Sequence, residues 1–338
     1  MQLYLVRCIK SKKGLYLIII FSMLLVILLF TTYDVKYYND VTAQGLSVRN
    51  YLGLEKSSFK QSTGRNVTIA IVDSGIELHN DINRNKILKF KDFVNNKEEL
   101  YDDNGHGTFI AGIINANGKL RGIAPDADLV IIKVIDSKGN TDKDLLEKSL
   151  EWLIENKYKY NINVINISLG VPTYTNNDDL SYDEIFEKLK TLRRMGVLTV
   201  MSAGNNGPNS GSIVYPASSP DVITVGYINN NGTYSHSDDK VAYSSSKGFE
   251  KGNNIKPNLV TLGVDILSLD YRDLGGYLTA SGSSYAAAIL SGVLAVLIES
   301  NRVQPKSDIE TILYRYVEKL SDCNEFCQGM GQLNFSTH

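Results

Sequence analysis

Little of this chain is proline or cysteine, and neither sign of charge dominates. Only 7 prolines occur in 338 residues, with 43% hydrophobic and 21% charged side chains, which excludes a disordered or collagen-like polymer. Three cysteines cannot build a disulfide framework in a chain of this length. Thirty-five basic residues against 37 acidic ones leave a formal charge of -2, so a dedicated nucleic-acid binder is excluded too. Internal repeats and low-complexity tracts are missing as well. What remains is an ordinary globular chain, long enough for one large domain or two small ones.

One long apolar run is present. Arg7, Lys10, Lys12 and Lys13 precede the uncharged stretch Leu15 to Phe30. Basic residues ahead of such a run favour an N-terminus inside the cell and the rest of the chain outside. At ~1.5 Å per residue the run covers roughly 24 Å, a little short of a bilayer core, and Gly14, Thr31 and Thr32 extend it. Three readings stand open: an uncleaved membrane anchor, a cleaved signal peptide and a buried core helix. The small residues a signal peptidase needs do not follow Phe30, and the nearest acceptable triplet is Val41-Thr42-Ala43. Residues 1–32 are therefore expected as a signal anchor or signal peptide, residues 33–60 as a short polar tether, and residues 61–338 as the folded domain. The expected location is the cell membrane, single-pass with that domain outside, or the exterior if the segment is cut. Cys8 lies before the run, and Cys323 and Cys327 lie far downstream, spaced either for a local bridge or as two unpaired thiols.

From Asn66 the pattern alternates strands with helices. Val67–Asp73, Asp128–Ile135, Val164–Ser168, Val197–Ala203 and Val222–Gly226 are short, continuous apolar runs, as buried parallel strands require. Thr141 opens a capping-box-like TDKD before an amphipathic run to Lys157, and Tyr182–Met195 ends on Gly196. Further helices are expected over Ser284–Ser300 and Ser307–Lys319. The fold class is α/β: three layers, with a mostly parallel central sheet flanked by helices and one hydrophobic helix ahead of it.

Four residues carry candidate chemistry. Asp73 closes the first strand, His106 opens HGTFIAG, Ser284 sits in SGSSYAAA, and Asn205 follows a glycine turn in SAGNNG. Taken singly, the aspartate is a turn former, the histidine a solvated side chain and the serine a helix cap. Taken together they form a set. A serine nucleophile needs a base within hydrogen-bond reach, and that base needs a carboxylate to fix its tautomer. A side-chain amide can donate to the oxyanion of a tetrahedral intermediate.

With IAIVDSGIELHNDI, NGHGTFIAGII, GIAPDADLVIIKVID, VINISLG, SAGNNG, YPASSPDVITVG and SGSSYAAAILSGVLA in this order, the chain resembles a subtilisin-like serine protease over roughly Ser47 to Asn334. The resemblance implies Asp73, His106 and Ser284 as the triad and Asn205, with the Ser284 backbone N–H, as oxyanion donors. It also implies an extended peptide held between Ser168-Leu169-Gly170 and the segment around Gly139. Ser202-Ala203-Gly204 then form one wall of the pocket for the residue before the cut, with Val214 near its floor or simply packed in the core. No acid stands there, so an apolar or small residue is expected. Tyr285 and Ala288 replace the methionine and proline usual after the nucleophile, and Ser283 replaces a threonine. The stretch from His106 to Pro125 is too short for the family's main calcium loop, which leaves Asp81 a lone carboxylate, and no metal or other cofactor is expected. Too few residues precede the domain for a folding prodomain. A peptide or protein substrate, a monomeric state and a small tethered enzyme are implied. Such an enzyme resembles the leader peptidases of lantibiotic export, while a general degradative protease and an inactive peptide-binding relative remain alternatives.

Overall fold

The computed structural model describes residues 37–38, 47–171, 183–249, 254–303 and 308–338. The apolar run Leu15–Phe30, Cys8 and residues 33–36 and 39–46 of the expected tether lie outside the described residues. Among the described residues no helix is long and apolar enough to cross a membrane.

The central sheet grows from the apolar runs. In chain order its main strands are β1 (Thr68–Asp73), β2 (Ile87–Asp92), β3 (Asp128–Lys133), β4 (Ile162–Ile167), β5 (Leu198–Ser202), β6 (Ile223–Asn229) and β7 (Leu259–Leu262). A hairpin of β8 (Ile266–Leu269) and β9 (Tyr277–Ala280) stands apart from it. The short strands β10 (Val317–Glu318) and β11 (Gln332–Leu333) extend the edge, giving the order β10-β11-β7-β6-β5-β4-β1-β3-β2. All pairs along β11 to β2 are parallel, and β10 meets β11 antiparallel. The chain leaves β1 toward β2 and β3, then crosses to β4 on the other side. The carboxyl end of β1 is thus the point where strand order reverses, the usual place for a site in an open α/β sheet.

Alternation along each strand assigns the two helical layers. Ile69 and Ile71 of β1 face the cluster that holds Phe109 and Ile110 of α1 (His106–Asn115) and Leu290 and Val293 of α4 (Ser283–Glu299). Ala70 and Val72 face the opposite cluster, with Leu146 and Leu150 of α2 (Lys143–Asn156) and Leu189 and Leu192 of α3 (Glu184–Arg194). Helix α4 is buried nearly all round, as its unbroken apolar sequence requires. Each fully buried leucine or isoleucine contributes about 1.5–3 kcal/mol, so this helix anchors the residues at its N-terminus firmly.

Local details depart from the sequence expectation in three places. The cap of α2 is Asp142, whose side chain accepts from Leu145 N–H, while the Thr141 hydroxyl is buried without a partner. Asp142 wins because a carboxylate is the stronger acceptor for amides at the positive end of the helix. Within the expected helix Ser307–Lys319, α-helix covers only Ile309–Leu313; a 3-10 turn follows over Tyr314–Tyr316 and then β10. Pairing with β11 takes the backbone bonds that a longer helix would use. Third, the packed body includes residues 47–60, which the sequence pattern assigns to a tether. Tyr51, Leu52, Leu54 and Phe59 are buried in the core, and buried Arg49 pairs with Glu55 and donates to the carbonyls of Lys60, Ser62 and Ile123.

Candidate active site

At the end of β1, Asp73 is fully buried, and both carboxylate oxygens lie within reach of His106 Nδ1, at 2.8 and 2.9 Å. Asp73 Oδ1 also accepts from Ser74 N–H at 2.7 Å. His106 is the first residue of α1, and its position is set by Asp102, which the sequence pattern does not single out. Asp102 accepts from Ser74 Oγ and the N–H groups of Asn104 and Gly105 through Oδ1, and from Thr108 N–H and Oγ1 through Oδ2. Ser74 Oγ in turn accepts from Gly107 N–H at 2.8 Å. These bonds tie the strand carrying Asp73 to the helix carrying His106. An aspartate shortly before a helix start is the signal that could have revealed it.

Burial disfavours a charged His106, but the Asp73 carboxylate, by charge and by hydrogen bond, outweighs it and holds the imidazole above the ordinary histidine value. The Tyr285 ring packs 4.5 Å from Phe109 and 5.9 Å from His106. Burial, and then the nearby Asp73 charge, push its phenol far up, so it covers the imidazole as a neutral wall.

Ser284 lies in the first turn of α4, where its N–H has no intrahelical acceptor. Its hydroxyl donates to the Ser168 carbonyl at 3.0 Å and not to His106, while Ser168 Oγ donates back to the Ser284 carbonyl at 3.0 Å. Asn166 Nδ2 donates to Ser168 Oγ, and Ser291 Oγ of α4 donates to Asn166 Oδ1, so a buried polar chain registers α4 against β4.

Asn205 is oriented by Ser283. The N–H and the hydroxyl of Ser283 donate to Asn205 Oδ1 at 2.9 and 3.0 Å, and the same hydroxyl accepts from Gly204 N–H at 3.1 Å. With Oδ1 occupied, the amide hydrogens on Nδ2 remain to be donated. A Cβ on Gly282 would sit 3.2 Å from Nδ2, so glycine there leaves the amide in place. Reading Ser283 as a mild replacement for threonine missed this orienting role. The two residues are 78 positions apart, so no spacing signal could show it.

Around these groups, Leu169 is buried and Gly170 exposed after β4. Gly139 occupies a turn at φ +84°, and a Cβ there would meet Asn104 Nδ2 at 3.6 Å. Ser202 and Ala203 are buried at the end of β5. Val214 wedges between two glycines: a Cβ on Gly170 would lie 2.9 Å from its Cβ, and one on Gly204 would lie 2.4 Å from its Cγ1.

The calcium ligand that Asp81 resembles does not fit a cation here. Its carboxylate accepts from Lys119 N–H at 3.1 Å, Leu120 N–H at 2.8 Å and Tyr277 Oη–H at 2.8 Å. Burial and the bond to Asp81 keep the Tyr277 phenol protonated as a donor. Hydrogen-bearing groups occupy the directions from which a calcium ion would need six to eight oxygen lone pairs. Among the described residues no group of three or more His, Cys, Asp or Glu side chains could hold a metal ion.

Comparison with known proteins gives the family. Residues 64–331 match the subtilase family. Serine protease AprX of Bacillus subtilis (strain 168) is 35% identical over 298 residues, which are 80% of this chain and 66% of AprX. Minor extracellular protease Epr of the same organism is 32% identical over 275 residues, 78% of this chain and 37% of Epr. The chain thus spans about two thirds of AprX and a smaller part of Epr. The solved S41 psychrophilic protease superposes with a TM-score of 0.73 at 26% identity, covering 86% of this chain and 99% of the protease.

Proposed function

The chain belongs to the subtilase family, and from that membership we propose that it is a serine endopeptidase working through Asp73, His106, Ser284 and Asn205. The observation that carries this reading is the double contact of His106 Nδ1 with the buried Asp73 carboxylate, at 2.8 and 2.9 Å, in a chain that also supplies Ser284 and an amide with free donors. In the reaction the Ser284 hydroxyl leaves the Ser168 carbonyl, to which it donates at rest, and turns to the imidazole. His106 then removes its proton as the oxygen attacks the scissile carbonyl, and later returns it to the leaving amine. Asp73 holds the tautomer and stabilises the imidazolium. Asn205 Nδ2 and the Ser284 N–H bond the oxyanion, with Ser283 keeping the amide aimed.

The substrate is a peptide or protein in extended form, laid between Ser168-Leu169-Gly170 and Gly139 by strand addition. Ser202, Ala203 and Gly204 wall the pocket for the residue before the cut, and Val214 fills its floor, which favours a small apolar side chain there. Residues 15–30 tether the enzyme to the membrane or direct its export, and a secreted peptide with a leader segment is a fitting substrate. Epr, by its name, is extracellular, which accords with export.

A serine-directed fluorophosphonate tests the assignment. Wild type labels at one site and Ser284→Ala, still folded, does not. An unlabelled wild type would instead favour a peptide-binding relative whose serine stays turned to Ser168.

A further inference from the structure

Cys323 and Cys327 line a cavity of about 350 Å³ together with Pro208, Ser210, Lys247 and Gly248. Both are free thiols. Cys323 is half-buried just before the cap Asn324, and Cys327 is buried in the short helix Glu325–Gln328. The backbone between them is held from both sides. Asn324 accepts from Phe326 and Cys327 N–H, while the Gln328 side chain clasps Leu320 at N–H and carbonyl and also donates to the Cys323 carbonyl. The two thiols stand four positions apart across the cap and first turn of this helix and line the same cavity, which brings them together as a pair.

The opposite wall of the cavity belongs to the loop that follows Asn205. Phe326 O accepts from Gly248 N–H at 3.0 Å, Gly248 O accepts from Gly211 N–H at 3.0 Å, and Lys247 O accepts from Ser212 N–H at 2.9 Å. Ser210 Oγ adds a bond to Gly248 O at 3.0 Å. A backbone ladder therefore runs from the dithiol segment through residues 247–248 to residues 210–212, two positions before Val214.

We propose that Cys323 and Cys327 form a reversible dithiol–disulfide pair whose bridge stiffens the wall of the cleft at residues 210–214. The oxidant is a small disulfide. Cys323, at the cavity rim, exchanges with it to give a mixed disulfide and one released thiol. Cys327 thiolate then attacks the Cys323 sulfur, forming the protein bridge and expelling the second thiol, so two protein thiols are oxidised as one external disulfide is reduced.

The bridge itself does not depend on the protease reading, so the test counts thiols before any cleavage is measured. The full chain carrying Cys8→Ser is incubated with oxidised glutathione, then reduced glutathione, and reactive thiols are counted with a maleimide after denaturation. Both are expected to disappear on oxidation without a glutathione adduct and to return on reduction, whereas adding Cys323→Ser abolishes bridge formation. Two reactive thiols throughout, or a stable adduct on Cys323, overturns the pair. Amide exchange at Gly211 and Ser212 is expected to slow severalfold in the oxidised protein only. Exchange that does not change on bridging overturns the coupling to the cleft wall.

Discussion

Asp73 and Asp81 are both buried carboxylates, eight positions apart, yet they have opposite surroundings. Asp73 accepts one backbone amide and otherwise faces an imidazole that can gain and lose a proton. Asp81 accepts two backbone amides and a phenol that stays protonated. The first keeps a partner that can gain or lose a charge. The second is a strut, its lone pairs spent on groups that never move. Burial alone therefore does not mark a functional acid; the identity of the donors does.

Four measurements break or sharpen that contrast. The largest effect is expected for Asp73→Asn, which keeps the shape and loses the charge: kcat should fall by about 10⁴-fold, with the melting temperature nearly unchanged. Loss of folding without a specific loss of rate would put Asp73 in the same class as Asp81. Next comes Asp81→Ala, with the reverse outcome. The buried Tyr277 hydroxyl loses its acceptor, at about 1–3 kcal/mol, while the partly buried Lys119 and Leu120 N–H groups can turn to water, so denaturant unfolding should show a loss of about 1–3 kcal/mol while kcat/KM of the folded fraction stays within a few-fold. A rate loss beyond the unfolded fraction would count against the strut.

The third effect is a displaced pH profile. Hydrolysis needs neutral His106, whose folded value is raised, so the rising limb of kcat/KM should have its midpoint above the ordinary histidine value of about 6.5. The same group contributes stability below its ordinary value, and that contribution fades as pH rises through the raised one. Asp73→Asn should lower the midpoint of whatever activity remains, because the charge that raises it is gone. The smallest effect is expected from a chelator. With amide hydrogens filling the Asp81 site, EDTA should shift the melting temperature by no more than about a degree or two, against the roughly 4 kcal/mol a tightly bound ion can supply. A drop of about ten degrees would reveal a cation held elsewhere.

The sheet strands and the contact of Asp73 with His106 were legible because their signals are local. Asp73 ends an apolar run, His106 and Ser284 open helices, and Asn205 follows a strand and a glycine turn. What could not be read depends on distant partners. Ser283 aims Asn205 across 78 positions, and Asp102 looks like one more loop acid until Thr108 and Ser74 are seen to donate to it. Apart from Arg49, residues 47–60 bury only the short run Tyr51-Leu52-Gly53-Leu54 and then Phe59, too little for a period that marks them as core. The helix expected through Lys319 is cut short because β11, well downstream in the chain, pairs with its second half.

That early segment also sets a timetable. Leu52 O accepts from Phe335 N–H and Ser58 N–H donates to His338 O, so this segment finds two of its partners only at residues 335–338. At about 5–20 residues per second of synthesis, it waits roughly 15 to 60 seconds for those partners to be made. Until then the apolar side chains of Leu52 and Phe59 are uncovered and the sheet edge at β11 does not exist. A ribosome-bound intermediate lacking residues 330–338 should therefore be a substrate for chaperones and proteases rather than a working enzyme, and activity should arise only after those residues have been made.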